Sequence, residues 1–273
     1  MICFGGESVN PKTLRTTTAD EVMVLDTEIM LWYPPSVTGD VPSGRSGHSA
    51  SLLGSDLVVF GGVKGSKFQS SLYVLDTARW KWSQPKINGD TPRPRSYHTA
   101  TSVQRPGGKH WMVVFGGNDR SKSFDTVHVL EKDKDQWTWI HPTVSGEAPA
   151  ARTGHSAILM PDRKTILVQG GWDPNVDGPE EENIFCDAFC LDITTWTWRK
   201  EEALEMGRRV GHTAAFFDGQ VIAFAGRTPG DMWSNEVLVR PVPSNPPSGS
   251  STKVDGKEAA INGKDDQLVQ QGI

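Results

Sequence analysis

The sequence predicts an all-β propeller of about five four-stranded blades, and two recurring motifs predict it. A hydrophobic run that ends in a glycine pair recurs as ICFGG, VVFGG, VVFGG, LVQGG and, in altered form, AFAGR. A second motif recurs as RSGHS, RSYHT, RTGHS and RVGHT. The copies are spaced by about 55 residues, and a fixed period of this size is typical of propellers and solenoids. The glycines are Gly5, Gly6, Gly61, Gly62, Gly116, Gly117, Gly170 and Gly171, with Gly226 read as the first glycine of the last copy.

The composition fits many short strands joined by turns. The 273 residues include 28 Gly, 18 Pro and 10 Trp, so the apolar area is concentrated in a few large side chains. A net charge of −5 gives no indication of a nucleic-acid-binding surface. Three cysteines cannot form a disulfide framework, and neither a membrane-spanning run nor a signal peptide is visible. We therefore expect a soluble protein, cytoplasmic or nuclear, with no membrane or nucleic-acid partner.

Each unit contains four strand-like segments, which we label a to d. In the second unit they are His48–Leu53, Leu57–Phe60, Ser71–Asp76 and the residues around Trp80–Trp82. These runs are short, rich in β-branched and aromatic residues, and bounded by turn residues, and none has helical periodicity. The expected units cover residues 1–41, 42–91, 92–148, 149–205 and 206–243.

Paired tryptophans predict how the sheets pack. The Trp-x-Trp pattern places both rings on one face of strand d, where they can fill the space between one sheet and the next. The glycine pair allows a turn with positive φ and close approach of the backbone near the axis. The pairs are Trp80/Trp82, Trp137/Trp139 and Trp196/Trp198, with Met30/Trp32 in the first unit.

These linked features resemble the kelch repeat. They are the hydrophobic run, the glycine pair, a spacer, an aromatic residue in strand c such as Tyr73, and a tryptophan after the Asp of VLDT. The resemblance covers Met1 to about Pro243. The Arg-x-Gly-His motif and the long period are more similar to long-repeat kelch proteins, such as the leucine-zipper-like, acyl-CoA-binding and host-cell-factor groups, than to BTB-kelch adaptors. The resemblance implies a ring of usually about six or seven blades, closed by pairing of the two chain ends.

Both terminal units depart from this pattern. The first begins inside strand b, and the last lacks a tryptophan-bearing strand d before Pro241. We interpret the chain as an open ring, a truncated gene model or a fragment of a larger regulatory or adaptor protein of the ubiquitin-ligase, trafficking or polarity type. An open ring leaves two sheet edges exposed. Residues 244–273 are polar, lack aromatic residues and have no periodicity, which predicts a disordered tail.

The repeated histidines and arginines have different expected roles. His48, His98, His155 and His212 occupy one slot of four units, which indicates a hydrogen-bonding role between blades and no metal site. Arginines occupy another slot, at the lip of the innermost strand. In some kelch adaptors an arginine in a similar place contacts the ligand, so the resemblance implies that these side chains could reach a peptide carboxylate. They are Arg45, Arg95, Arg152 and Arg209.

Catalysis is not expected. Galactose oxidase, which has a kelch-like propeller, binds copper through tyrosine and histidine, but Tyr33, Tyr73 and Tyr97 are each explained by a repeat slot or its edge. The iron-binding Glu-x-x-x-Asp-x-x-x-His pattern of nitrile-specifier proteins does not occur, nor do nucleophile, phosphate-loop or dinucleotide motifs. The acidic segment at residues 173–183 lacks the calcium-loop spacing. We expect no cofactor and no metal, and a metal-dependent propeller enzyme is the least favoured alternative.

Binding is the favoured function. If strands alternate in direction, the b–c loops and the d–a connections emerge on the same face, and the b–c loops are the longest and most varied segments. We expect them to present tryptophan anchors and basic side chains to a protein or peptide partner. The repeat tryptophans Trp32, Trp82, Trp139 and Trp198 are expected to be structural. The expected binding residues, besides the four arginines, are Trp172, Trp233, Lys64, Lys67 and Arg120.

Overall fold

Five antiparallel sheets follow one another along the chain, one for each expected unit. This computed structural model describes residues 1–230 and 232–243, and for residues 180 and 181 it describes the backbone alone. Residues 1–242 form one compact unit. The expected disordered tail, residues 244–273, lies outside the described residues. The all-β propeller with five blades is confirmed, and we number the blades 1 to 5.

The three central blades share one plan, with strands in the order a, b, c and d. Blade 2 is formed by Ser46–Leu53, Asp56–Lys64, Leu72–Asp76 and Lys81–Ser83. Blade 3 is formed by Thr99–Gln104, His110–Phe115, Val127–Asp133 and Gln136–Ile140. Blade 4 is formed by Ser156–Leu159, Thr165–Gln169, Ala188–Asp192 and Thr197–Lys200. Strand b is buried in each of them, because it lies between neighbouring strands and between neighbouring sheets.

The terminal blades each have three strands, as expected. Blade 1 consists of strands b, c and d, which are Ile2–Phe4, Val22–Asp26 and Leu31–Tyr33. Blade 5 consists of strands a, b and c, which are Thr213–Phe217, Gln220–Phe224 and Val237–Pro241. Apolar side chains that are buried in the central blades are therefore partly exposed here, including Trp32 and Phe224.

Shorter elements connect the blades and extend the b–c loops. Two-residue strands pair in parallel with strand d of the blade that follows them: Thr38–Gly39, Ile87–Asn88 and Ser145–Gly146. The b–c loops contain the short strands Glu7–Val9, Thr16–Thr18, Lys67–Phe68, Arg227–Thr228 and Met232–Trp233. The described part of the chain also contains three short helices, at Pro106–Gly108, Glu180–Asn183 and Glu202–Leu204. Because the a strands of neighbouring blades contact one another, strand a lies nearest the axis.

Phenylalanine–tryptophan contacts join the blades. The phenylalanine before the glycine pair of one blade packs against the last tryptophan of strand d in the next blade. The pairs are Phe4–Trp82, Phe60–Trp139 and Phe115–Trp198, with ring centroids 5.2, 5.0 and 5.1 Å apart. Trp32 occupies the same slot in blade 1 and is 45% exposed, since no blade precedes it among the described residues.

The prediction that both tryptophans of each Trp-x-Trp pair lie in strand d is correct for blade 3 and wrong for blades 2 and 4. In blade 3, Trp137 and Trp139 both lie in strand d and both are buried. Trp80 and Trp196 instead lie in the c–d turn, with φ of 52° and 56°. The turn forms there because the aspartate that ends strand c accepts the backbone N–H groups two and three residues later, as Asp76 does at 2.9 and 3.0 Å.

Gly226 also differs from its expected position. A β-carbon on Gly226 would lie 2.9 Å from Cβ of His212, as one on Gly62 would lie 2.8 Å from Cβ of His48. Gly226 is therefore the second glycine of its pair. The first position is filled by Ala225, whose φ of 61° is the left-handed conformation that the glycines adopt. The alignment by the letter pattern alone was wrong by one residue.

Candidate binding site on the loop face

The b–c loops meet the ends of the d–a connections on one face of the propeller. In blades 3, 4 and 5, a single β-bridge joins the residue after the repeated arginine to the residue after the glycine pair, and in blade 2 the corresponding residues, Ser46 and Val63, pair within strands a and b. The bridges are Ser96–Asn118, Thr153–Trp172 and Val210–Arg227. We call this side, formed by the b–c loops and the residues that lead into strand a, the loop face.

A chain of backbone hydrogen bonds crosses the centre of the loop face. It runs through the residue before each repeated histidine: Gly211 N–H donates to Gly154, Gly154 N–H to Tyr97, and Tyr97 N–H to Gly47, at 2.8, 2.9 and 2.7 Å. Each bond joins one blade to the blade before it. The inner turns are therefore held in a fixed arrangement, on which a site at the centre of this face can be built.

Tyr97 is the exception in this chain of hydrogen bonds, and it is not among the residues that the sequence predicted to bind a partner. Three of the four slots carry glycine, and all four residues have positive φ, which is 52° at Tyr97. A non-glycine residue in this conformation costs about 1–2 kcal/mol. The ring is nevertheless half exposed on the loop face. Strained residues of this kind are concentrated at functional sites. The signal available in the sequence was RSYHT, where the other copies have Gly.

A cavity of about 370 Å³ lies next to Tyr97, between blades 3, 4 and 5. It brings together both tryptophans that were expected to bind a partner, Trp172 and Trp233. Pro174 and Val210 complete its apolar wall. Tyr97, Trp172 and Trp233 lie 75 and 61 positions apart in the chain, and the propeller fold alone brings them to one cavity.

The two tryptophans are held differently. Trp172 is half-buried, its backbone bridges both Thr153 and Ile184, and the guanidinium carbon of Arg227 lies 5.0 Å from the centre of its ring. Trp233 lies on the hairpin of the fifth b–c loop, where it pairs with Arg227, and is 78% exposed. Trp172 thus forms a fixed wall, and Trp233 offers an accessible ring at the rim.

The four repeated arginines were expected to reach a carboxylate of a bound peptide. This expectation is wrong, because all four are buried. Each side chain donates from Nη1 to the carbonyl of the first residue of its own blade's glycine pair. The pairs are Arg45–Gly61, Arg95–Gly116, Arg152–Gly170 and Arg209–Ala225, at 3.0, 2.9, 3.0 and 3.0 Å. The backbone carbonyls of these arginines accept N–H groups from the preceding blade. The arginines therefore join blades, and no guanidinium lies where a ligand carboxylate would reach it.

Different neighbours stabilise the positive charges of these buried arginines. Asp187 accepts two hydrogen bonds from Arg152, at 2.6 and 3.0 Å. Arg95 stacks on Phe124, 4.4 Å from the ring centre, and burial lowers its pKa to about 10. Burial also lowers the pKa of Arg45 and of Arg209. The loss of hydration is the largest cause in all three, which agrees with their structural position.

The repeated histidines connect neighbouring blades. His98 Nε2 lies 2.8 Å from Ser49 Oγ, and His155 Nε2 lies 2.9 Å from Thr99 Oγ1. His212 Nε2 lies 3.0 Å from Ser156 Oγ. Burial, with a smaller contribution from the adjacent arginine, lowers the pKa of His98 to about 3 and that of His212 to about 4. These imidazoles are neutral at physiological pH and belong to the scaffold.

The expected basic residues of the second and third b–c loops do not line this cavity. Lys64 and Lys67 are exposed on the hairpin of the second b–c loop, and Arg120 is exposed in the third. The fourth loop is acidic, with Asp177 and Glu182 exposed. Asp173 in the same loop is engaged by Ser123, whose hydroxyl donates to it at 2.8 Å. The b–c loops therefore differ in charge: basic at blade 2, mixed at blade 3, where Asp119 and Asp125 accompany Arg120 and Lys122, and acidic at blade 4.

A second, wider cavity of about 770 Å³ lies at the other end of the a strands. Gln104, His110 and Arg163 are among the residues that line it. None of the expected binding residues lines this cavity. Within the described residues, no group of three or more His, Cys, Asp or Glu side chains is arranged to hold a metal ion.

Comparison with protein families gives the same architecture. The model of the Attractin/LZTR1 beta-propeller family matches residues 1–237. The chain belongs to this family. As an Attractin/LZTR1 beta-propeller it is a kelch-type propeller, which confirms the expectation from its repeats. None of the helices in residues 1–230 and 232–243 has the length and apolarity that a membrane-spanning helix requires.

The Attractin/LZTR1-type propeller is also similar to parts of longer proteins. It is 27% identical to acyl-CoA-binding domain-containing protein 5 of Arabidopsis thaliana over 246 residues, which cover 88% of this chain and 35% of that protein. It is 31% identical to host cell factor of Drosophila melanogaster over 237 residues, which cover 76% and 15%. It is 28% identical to Kelch domain-containing protein 3 of Homo sapiens over 211 residues, which cover 72% and 52%. The chain thus spans about half or less of each of these relatives.

A solved structure shows the same fold. The structure of YjhT superposes on this Attractin/LZTR1-type propeller with a TM-score of 0.65, covering 89% of this chain and 79% of that one. The two sequences are 17% identical, so the likeness concerns the fold alone.

Proposed function

We propose that this propeller is a non-catalytic protein-interaction module that holds a protein or peptide partner on its loop face, at the cavity between blades 3, 4 and 5. Kelch-type propellers are commonly protein-interaction modules and are mostly non-enzymatic. The observation that carries the proposal is the convergence of Tyr97, Trp172 and Trp233 on one cavity. Tyrosine and tryptophan are the residues most enriched among those that dominate binding energy at interfaces.

The scaffold supports this role because the site rests on rigid elements. Tyr97 and Trp172 are held by backbone hydrogen bonds to neighbouring blades or connections, at 2.7 to 3.0 Å. A rigid aromatic surface loses little conformational entropy when a partner binds, so most of its contact energy contributes to affinity. The accessible ring of Trp233 is then the anchor, and Tyr97 and Trp172 are the walls of its site.

The charged loops would orient the partner. Lys64, Lys67 and Arg120 lie on one side of the face, and Asp177 and Glu182 lie in the acidic fourth loop. Exposed charges of this kind affect association rate and orientation more than affinity, and salt screens them. We therefore assign steering to the basic residues and affinity to the aromatic cavity. The relatives carry their matched segments within longer chains, so the proposal concerns the propeller and no other part of a protein.

A paired substitution tests the proposal. Trp233→Ala removes the most exposed ring of the site, and Trp32→Ala removes an exposed tryptophan from blade 1, so the two variants match in residue type and in exposure class. Partners captured by wild-type protein are quantified by mass spectrometry and then measured by calorimetry with purified components. We expect Trp233→Ala to weaken binding at least tenfold and Trp32→Ala to change it less than twofold. Equal affinity of wild type and Trp233→Ala contradicts the proposal.

A further inference from the structure

The outer edge of strand d in blade 1 has no partner strand within residues 1–230 and 232–243. This strand, Leu31–Tyr33, pairs with strand c and ends its sheet. In blades 2, 3 and 4, two residues of the preceding d–a connection pair in parallel with the same edge. Trp32 is 45% exposed, whereas the tryptophans in its slot of those three blades are 1–3% exposed. Blade 1 therefore leaves open an edge that the other three blades cover.

The three covering segments share one sequence pattern. It consists of Val or Ile, any residue, Gly and an acidic residue, and it occurs at residues 37–40, 87–90 and 144–147. The connection between blades 4 and 5 lacks the pattern, and the blade that it leads into has no strand d among the described residues. The pattern therefore accompanies the pairing with strand d.

The glycine of the pattern is required by its close approach to strand d. Gly39, Gly89 and Gly146 have φ of 84°, 79° and 81°. A β-carbon on Gly89 would lie 2.5 Å from the carbonyl oxygen of Trp139, and one on either of the other two would clash with the carbonyl of the corresponding tryptophan. A residue with a side chain therefore cannot take this place without displacing the segment.

The other positions of the pattern also make repeated contacts. The apolar residue packs against the buried cluster that contains the tryptophan of strand d, and these residues are Val37, Ile87 and Val144. In blade 2 the N–H groups on both sides of the glycine donate to strand d or the turn before it. Thr38 donates to the Trp80 carbonyl at 3.0 Å, and Asp40 donates to the Trp82 carbonyl at 3.1 Å. Side-chain packing and backbone pairing thus act together.

Blade 1 offers the same acceptors in the same register. Leu25 faces Trp32 in blade 1 as Leu75 faces Trp82 in blade 2. Met30 has a φ of 55°, close to the 52° of its counterpart in blade 2. The carbonyls of Met30 and Trp32 therefore correspond to the two that accept hydrogen bonds in blade 2. Unpaired backbone groups at a sheet edge are a template for another extended segment.

The sequence restricts where such a segment can come from. The complete pattern occurs three times in the chain, and all three copies are already paired with strands d of blades 2 to 4. The triplet Ile-Asn-Gly recurs at residues 261–263, outside the described residues, but Lys264 follows it where the pattern has an acidic residue. An occupant with the complete pattern is therefore supplied by another protein.

We propose that the outer edge of strand d in blade 1 binds an extended Val/Ile-x-Gly-Asp/Glu segment of a partner protein, which adds to the sheet in parallel. Its glycine lies opposite Trp32, and its apolar residue packs beside the ring. The N–H groups on both sides of the glycine donate to the carbonyls of Met30 and Trp32. The site is separate from the loop-face cavity, because no residue that lines the cavity belongs to blade 1.

A peptide from the chain itself is the probe. It has the sequence of residues 84–91, is acetylated and amidated, and is titrated into the full chain labelled with ¹⁵N. Binding is read from the backbone and indole N–H signals of Trp32, with the indole signal assigned by Trp32→Ala. We expect both signals to shift saturably while the indole signal of Trp233 stays unchanged.

Two altered peptides distinguish edge pairing from unspecific apolar contact. Gly89→Val in the peptide adds a β-carbon that would meet the Trp32 carbonyl, and methylation of the Asp90 backbone nitrogen removes one donor. We expect each altered peptide to bind at least tenfold more weakly than the unaltered one. The proposal is overturned if either binds as tightly, or if the unaltered peptide leaves the Trp32 signals of wild type unchanged.

Variants of the full chain test the source and the location of binding. Gly263→Val removes the glycine of the triplet at residues 261–263, and its affinity for the peptide should stay within twofold of wild type. Tighter binding by more than twofold would mean that these residues compete for the edge, and a partner protein would then be the wrong source. Trp233→Ala should also stay within twofold, so failure at this edge leaves the loop-face proposal standing.

Discussion

The imidazole of His98 in blade 3 packs against the α-carbon of Gly61 in blade 2 so closely that a β-carbon on Gly61 would lie 2.9 Å from His98 Cε1. The same β-carbon would lie 2.7 Å from the carbonyl oxygen of Arg95. The glycine pair of one unit and the Arg-x-x-His motif of the next are therefore two sides of one contact. Both motifs recur because each blade uses this contact to join its neighbour.

Replacement of Gly61 should accordingly be costly. Gly61→Ala introduces the β-carbon at a φ of +68°, which costs about 1–2 kcal/mol for the conformation, and the close contacts add about 1–3 kcal/mol. We expect the free energy of unfolding in urea to fall by about 2–5 kcal/mol in total. Ala225→Gly is the matched control, since Ala225 has the same backbone conformation and no described blade packs beyond it. A Gly61→Ala variant as stable as wild type would contradict this account of the interface.

The buried position of Arg152 predicts that lysine cannot replace it. Arg152 donates to Asp187 twice and to the Gly170 carbonyl, and lysine does not reproduce this planar set of bonds. Breaking a buried, hydrogen-bonded ion pair costs about 3–5 kcal/mol, and we expect Arg152→Lys to approach that loss in thermal or urea unfolding. Exposed Arg163 is the control, for which Arg→Lys should change stability by less than about 0.5 kcal/mol. Equal effects at the two positions would restore Arg152 as a candidate for ligand binding.

Two tryptophans in the same repeat slot should differ strongly in their contribution to stability. Trp82 is buried against Phe4, and Trp32 is 45% exposed with no described blade before it. We expect Trp82→Phe to lower the free energy of unfolding by about 1–3 kcal/mol and Trp32→Phe by less than about 1 kcal/mol. Calorimetric unfolding measures both. A larger loss for Trp32→Phe would mean that another chain covers blade 1 under the conditions of the experiment.

Acidification should destabilise the propeller through its buried histidines. The folded-state pKa values of about 3 for His98 and about 4 for His212 lie below the ordinary value of 6.5, so the unfolded chain binds more protons between these limits. Stability is therefore complete above pH 6.5 and is lost as the pH falls. Each histidine contributes a slope of up to about 1.4 kcal/mol per pH unit.

Urea titrations between pH 6.5 and 5 isolate this effect, because the carboxyl groups with lowered pKa values titrate further down. In His98→Gln, the change in unfolding free energy with pH should be smaller by the contribution of one histidine. Stability that is constant over this range would show that the buried imidazoles become protonated in the folded state.

Tyr97 should contribute to binding while having little net effect on stability. Tyr97→Gly places the residue of the other three repeats in a slot with φ of 52°, so relief of strain offsets the entropy that glycine loses on folding. We expect the free energy of unfolding to stay within about 1 kcal/mol of wild type while affinity for a loop-face partner falls at least fivefold. Unfolding curves and calorimetry of binding measure the two effects. A large loss of stability would show that the ring is part of the core.

The sequence by itself determined the repeat, the all-β class, the strand order within each blade and the incomplete first and last blades. These follow from hydrophobic runs, glycine pairs and turn residues, whose physical effects extend over only a few neighbouring positions. The same local signals placed Trp172 and Trp233 in loops and the histidines at the start of strand a.

The tertiary structure decided which of those residues are accessible. Arg45 and its three counterparts were predicted to be accessible because a sequence records residue type, whereas their burial depends on contacts made in the fold, such as the Gly116 carbonyl and the Phe124 ring that hold Arg95. The cavity has the same origin, since Tyr97, Trp172 and Trp233 meet only after three blades have packed. The burial of a side chain and the distance between two residues both depend on contacts between segments that are far apart in the chain. Short-range patterns therefore determined the architecture, and long-range packing determined the site.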